Sequence, residues 1–310
     1  MKTQTQKMRP IPTSVSMEEF LRTKTFLLKE TEPWMQELKE SVAGECAEIL
    51  KGMYLTDDER LEVMYGNQRT EEWDEKRKNK VTGSMGGAAV GHSGYDNIRA
   101  TVKKMLYPEK CTSAAMKRGT KLEPHIFAMA AVFFEKHYQT GNDDIWLEEV
   151  GLCIDKEYPW LGASTDGILH VNGKRTILEI KAPSSRKIDV IPEDYYDQMH
   201  IQMFCLKIKD GWFIVYTPEK LVCMYFQFNQ KYWDQHLFPA LQFFFMELFL
   251  WRLCLKNKGL LKHKDVDPKR PAKRAAPKKA TETKESDDEE DSEDDFEQFF
   301  EKPETKRKRK

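Results

Sequence analysis

No stretch of this chain is both long enough and free enough of charge to span a bilayer, and the N-terminal MKTQTQKMRP lacks the apolar core of a signal peptide. The most apolar segment, FPALQFFFMELFLWRLCL, carries Glu247 and Arg252 and reads as a buried core helix. There is no CxxC pair. The six cysteines are scattered over positions 46, 111, 153, 205, 223 and 254, which argues for reduced thiols in an intracellular protein and against disulfides, zinc or an iron–sulfur cluster. Net charge is nearly absent at −1. From His263 onward there are 14 basic and 15 acidic residues, and the body before it holds 36 of each, so any contact with nucleic acid must come from a local basic patch and not from a global field. The glycine-rich GSMGGAAVGHSG (83–94) matches neither a Walker nor a dinucleotide fingerprint; its bare backbone is expected to form a loop that a ligand can approach.

What is present is enough apolar residue to fold. A chain of 310 residues, 40% hydrophobic and 11% aromatic, can bury a sizeable core. Ser16, with Glu19 three residues on, caps an amphipathic helix, MEEFLRTKTFLLKE. Further helices are predicted within Pro33–Met53 and Asp57–Tyr65, after a cap at Thr70, near Asp96–Met105, and over Ser113–Tyr138, where Gly119 and Pro124 weaken the first half. Strands are expected near Ile145–Ile154, Leu161–Leu169 and Arg175–Ala182. A helix follows around Pro192–Leu206, then strands at Trp212–Tyr216 and Leu221–Phe228, then a last helix through about Lys256. That order predicts an α/β (α+β) layer with a mixed central sheet flanked by helices. Three regions are expected: a helical N-terminal region (1–69), a central domain (70–262) and a charged tail (263–310). The tail joins PKRPAKRAAPKKA, SDDEEDSEDD and KRKRK, and such runs cannot bury a core.

The most informative stretch is WLGASTDGILHVNGKRTILEIKAP (160–183). Asn172-Gly173 between two apolar runs signals a hairpin with a type I′ turn. Alternation puts Glu179 and Lys181 on one face, about 7 Å apart by the strand rise. Asp166 comes from the partner strand, where Asp-Gly breaks regular pairing. Charges embedded in ILEIKAP need partners or a metal, because burying them alone is expensive. Two carboxylates and an ammonium so placed suit a hard cation and an activated water, which is the chemistry of a nuclease. Two carboxylate-held Mg²⁺ ions, about 4 Å apart, lower the pKa of the attacking water and stabilise the charge developing on a phosphodiester. Lysine can orient or deprotonate that water once a partly apolar site lowers its own pKa.

Four blocks extend this constellation: WDEKRKNKVTGS (73–84), GTKLEP (119–124), the pair GASTDG (162–167) and LEIKAP (178–183), and YYDQMHIQM (195–203). In order and spacing they resemble the lambda exonuclease / YqaJ viral recombinase branch of the PD-(D/E)xK nucleases, over most of residues 70–230. The resemblance implies a restriction-endonuclease-like core. It implies Asp166, Glu179, Glu123, Lys181 and Gln198 as the catalytic set. Asp166, Glu179 and the Ile180 carbonyl would be metal ligands, with Glu123 and Gln198 holding a second ion or its waters and Lys181 acting on the attacking water. It places Arg77, Thr82, Ser84, Ser164 and Arg186 around a terminal 5′-phosphate. The segment after Lys181 is one residue shorter than in the lambda-type pattern, so Lys187 is the alternative to Arg186. Tyr195 and Trp73 are candidates for stacking on a base, with core packing the favoured role for Trp73, while His125 and His200 read as satisfied polar neighbours of the site.

The function implied is a Mg²⁺-dependent exonuclease, with Mn²⁺ as a substitute ion. It would degrade one strand of duplex DNA from a 5′-phosphorylated end and leave a 3′ single strand for an annealing or recombinase partner. The alternatives are an endonuclease or flap nuclease with the same metal core, and a non-catalytic protein that binds DNA ends. A homo-oligomer is a further expectation. In the tail, Phe296, Phe299 and Phe300 of DFEQFF form an aromatic cluster suited to a partner's groove, and the basic blocks are suited to nuclear import.

Overall fold

The computed structural model describes residues 32–109, 113–138, 145–183, 188–261 and 265–269. The helix expected after Ser16 lies outside these residues. Pro33–Met53 holds two helices instead of one, α1 (Pro33–Ser41) and α2 (Ala43–Lys51). Thr56 opens α3 (Asp57–Tyr65) as a capping box: the Glu59 amide donates to its hydroxyl at 3.3 Å, and its own amide donates to the Glu59 carboxylate at 2.8 Å. Thr70 caps α4 (Glu71–Arg77) by accepting from the Trp73 amide at 3.1 Å.

A short strand, β1 (Val81–Thr82), leads into α5 (Gly83–Ala89), so the expected glycine-rich loop is a helix for its first half. The glycines serve packing. A Cβ on Gly86 would lie 2.2 Å from Cδ1 of Ile201, and one on Gly87 would lie 2.7 Å from the Asp194 Cα. Bare backbone there lets α5 lie directly on the helix that carries Asp194 and Ile201. Asn97 then caps α6 (Ile98–Leu106). The long helix α7 (Ala114–Tyr138) runs unbroken through Gly119 and Pro124, because burial of Ile126, Ala130 and Phe134 outweighs one missing backbone bond.

Each of the next two expected strands divides. Ile145–Ile154 becomes β2 (Ile145–Glu148) and β3 (Cys153–Ile154), and Leu161–Leu169 becomes β4 (Leu161–Ala163) and β5 (Gly167–Val171). The halves belong to different sheets. β5 and β6 (Lys174–Lys181) form the expected hairpin, with Asn172 at φ 48° and Gly173 at φ 77°, the positive values that a type I′ turn needs. Helix α8 (Glu193–Leu206), strands β7 (Asp210–Thr217) and β8 (Lys220–Gln227), and helix α9 (Gln230–Asn257) complete the order.

The larger sheet has the order β2-β5-β6-β7-β8 and the smaller β1-β4-β3. Both are mixed: β6–β7 and β1–β4 pair in parallel, the rest antiparallel. One face of the larger sheet (Leu169, Leu178, Trp212, Ile214) buries against α7. The other (Ile168, Ile177, Phe213, Val215) buries against Met199 and Met203 of α8, which also touches β4. The fold is the expected α/β arrangement of mixed sheets flanked by helices. α9 is long and apolar enough to cross a membrane by length and composition, but its apolar side chains are largely buried within the protein, against α1, α2, α5 and α6.

Residues 265–269, assigned to the tail by composition, pack on this body. Val266 is buried and its carbonyl accepts from Arg252 Nε at 2.7 Å, while Asp267 accepts from Arg99 at 3.1 Å. Arg252 is fully buried and a buried guanidinium needs acceptors, which this segment supplies.

Candidate active site

Between β4 and β5 the chain crosses from the small sheet to the large one, and the crossing is Ser164-Thr165-Asp166. The Thr165 hydroxyl donates to the Leu178 carbonyl at 2.5 Å, and the Asp166 amide donates to the same carbonyl at 3.1 Å. The Asp166 carboxylate in turn accepts from the Ile180 amide at 2.6 Å. Asp166 is thereby locked against β6 at the point where pairing gives way, as the Asp-Gly break implied.

On β6, Leu178 and Ile180 face α7, and Glu179 and Lys181 face α8. Glu179 is 2% exposed. One of its oxygens accepts from Gln198 Nε2 at 2.7 Å and from the Lys181 ammonium; the other accepts from Gln202 Nε2 at 2.5 Å. Burial, and then the Glu179 charge, push the Asp166 carboxyl up to about 8. Burial pulls Lys181 down, but Glu179 and Asp166 outweigh it and hold the ammonium above its ordinary range. The lowered lysine expected from an apolar site is therefore not what this surrounding produces: two neighbouring carboxylates count for more than the lost hydration. Tyr195 lies under the same ammonium, 4.7 Å from ring centre to Nζ, and against Phe213.

Glu123 enters from α7 and pairs with Arg69. Arg77 stacks over Trp73 at 3.9 Å and points Nη2 toward the hydroxyls of Thr82 and Ser84, each at 3.4 Å. Trp73 Nε1 donates to the Ser164 hydroxyl at 3.1 Å. Burial lowers the Arg77 pKa, with Asp74 opposing.

These groups line one cleft of about 470 Å³. Of the residues singled out by sequence, Glu123, Asp166, Glu179, Ile180, Lys181 and Gln198 line it together with Arg77, Thr82, Ser84, Ser164 and Tyr195. Arg186 and Lys187 lie outside the described residues, as do Phe296, Phe299 and Phe300. His125 contacts Tyr216 edge-on and His200 is buried on α8; neither lines the cleft. The sequence does not single out Gln202, one turn beyond Gln198, or Arg69, and for Trp73 it suggests base stacking or core packing, not a hydrogen bond to Ser164. The spacing of the two glutamines by four residues was the available signal for Gln202.

As the side chains stand, no group of three or more His, Cys, Asp or Glu is arranged to hold a metal among the described residues, since Glu123 turns to Arg69 and Glu179 to Lys181 and two amides. The chemistry of the donors nonetheless fits a hard divalent cation. Asp166, Glu179 and Glu123 offer carboxylate oxygens and Ile180 a carbonyl, and a cation would offset the burial and, after it, the Glu179 repulsion that raise Asp166.

Residues 72–208 match the model of the YqaJ-like viral recombinase domain, a stretch that spans all four sequence blocks. Among solved structures it is similar to an alkaline exonuclease, LHK-Exo, from Laribacter hongkongensis, at 25% identity and a TM-score of 0.49 over 62% of this chain and 100% of that one. LHK-Exo in complex with dAMP gives 25% identity and a TM-score of 0.48 over 62% and 96%. No curated protein matches the chain.

Proposed function

We propose that this protein is a Mg²⁺-dependent DNA exonuclease that removes one strand of a duplex from a 5′-phosphorylated end. The carrying observation is that one cleft is lined by two chemically different groups of side chains. One group offers the oxygen donors Asp166, Glu179 and Glu123 with the Lys181 ammonium, and the other offers Arg77 with the hydroxyls of Thr82, Ser84 and Ser164. The match of residues 72–208 to the YqaJ-like viral recombinase domain supports DNA as the substrate.

When bound, Mg²⁺, or Mn²⁺ in its place, would lower the pKa of the attacking water and neutralise charge on the scissile phosphate. Asp166, Glu179, Glu123 and the Ile180 carbonyl are the groups to hold it. Lys181, kept protonated by its carboxylate neighbours, donates a hydrogen bond that orients the water or the phosphate. Gln198 fixes Glu179. Arg77 makes no ion pair within 4 Å among the described residues, so its charge remains for a terminal phosphate, whose dianion makes stronger charge-assisted bonds than an internal diester.

The test compares linear with covalently closed circular duplex, with Mg²⁺ or with chelator. Linear DNA should be converted to single strands in Mg²⁺ alone, and the circle should survive. Equal attack on the circle would favour an endonuclease, and no attack on either would favour a non-catalytic end-binding role.

A further inference from the structure

Gln202 is fully buried on α8, and its amide nitrogen spans two parts of the cleft. Nε2 donates to the Glu179 carboxylate at 2.5 Å and to the Ser164 carbonyl at 2.9 Å. Both neighbours are acceptors, which fixes the amide's orientation, since turning it over would set oxygen against oxygen. The result leaves Oε1 buried with no hydrogen-bond partner among the described residues. A side chain placed for stability alone would satisfy both ends. This one meets the needs of Glu179 and Ser164 and leaves its own acceptor unpaired.

We propose that Gln202 is a positioning residue that sets the Glu179 carboxylate for its cation and ties it to the Ser164 backbone beside the end-phosphate pocket. The proposal rests on the nuclease reading of the cleft. Gln198 holds one Glu179 oxygen and Gln202 the other, so the carboxylate is fixed in rotation as well as in place. The same amide holds the carbonyl of Ser164, whose hydroxyl accepts from Trp73 beneath Arg77. Loss of Gln202 therefore acts at two points, the affinity for the cation and the preference for a 5′-phosphate.

The experiment measures binding of Mn²⁺ alone to the full chain by calorimetry, without DNA, together with the rate ratio on 5′-phosphorylated and 5′-hydroxyl duplex and the thermal midpoint. Gln202→Met keeps the length and removes both donors. It should weaken Mn²⁺ binding by about 10- to 100-fold and lower the 5′-phosphate preference while the folded protein persists. Gln202→Asn, with the amide drawn back by one methylene, should shift both in the same direction and serves if the Met variant does not fold. A lowered midpoint with unchanged Mn²⁺ affinity and unchanged end preference would overturn the proposal and leave the nuclease reading intact. If the unaltered protein and Glu179→Gln were alike in failing to bind Mn²⁺, the nuclease reading would fail and this inference with it.

Discussion

Arg77 and His200 show how differently two polar side chains are used. Arg77 is held by a ring and two hydroxyls, none of which neutralises it. Arg77→Ala should slow digestion of 5′-phosphorylated duplex strongly and of 5′-hydroxyl duplex weakly, and equal losses on both would reassign it to general backbone binding. His200, by contrast, is locked neutral: Nδ1 lies 2.8 Å from the Tyr196 carbonyl and must donate, and Nε2 accepts from the Asn229 amide at 3.1 Å. Burial lowers its pKa from 6.5 to about 4. The unfolded chain therefore binds the extra proton between those values. The stability that His200 contributes is full above about pH 6.5 and is lost as pH falls through about 4, to a limit of about 3 kcal/mol. Urea midpoints measured between pH 7 and pH 4.5 should fall less steeply in His200→Phe than in the unaltered protein, and equal slopes would contradict the neutral assignment. The acids and the lysine of the site were legible because charges within an apolar strand demand an explanation. Gln202, Arg69 and the polar use of Trp73 were not, because amides, arginines and tryptophans have many structural uses and their partners come from distant segments.

The hairpin β5–β6 was readable from two residues, Asn172 and Gly173, since turn chemistry is local. α5 was misread for the opposite reason. Glycines in a loop and glycines at a close helix contact have the same composition, and the difference lies in Asp194 and Ile201, more than 100 residues away. Gly87→Ala should cost about 1–3 kcal/mol, because the new methyl meets the backbone of α8. Gly44→Ala, in open space within α2, should leave stability unchanged or raise it by up to about 1 kcal/mol. A Gly87→Ala protein with the original thermal midpoint would show that α5 does not depend on that contact. Strands β2 and β3, and likewise β4 and β5, were merged in the sequence because apolar alternation continues across the change of sheet. That change of sheet is what delivers Asp166 to the cleft.

Across the whole molecule, the larger sheet sits between α7 and α8, and the cleft opens where both helices meet the ends of β5 and β6. The mixed α/β plan could be read from the order of elements. The boundary at 262 could not, because a stretch as polar as 265–269 reads as tail until the buried Arg252 that needs its carbonyl is known. A chain ending at Lys262 should melt at a clearly lower temperature, and one ending at Arg270 should melt with the full protein. If both matched it, the contacts of Val266 and Asp267 would be shown not to matter for stability.

The most direct measurement of what the cleft does is digestion of a linear duplex labelled on one strand at the 5′ end or at the 3′ end, with the 5′ termini phosphorylated or not, in Mg²⁺. The 5′ label should be released first, faster from phosphorylated ends, leaving intact 3′ single strands, and Glu179→Gln should bind the same ends without releasing label. Release of the 3′ label first, or full activity in Glu179→Gln, would contradict a 5′-end nuclease centred on Glu179.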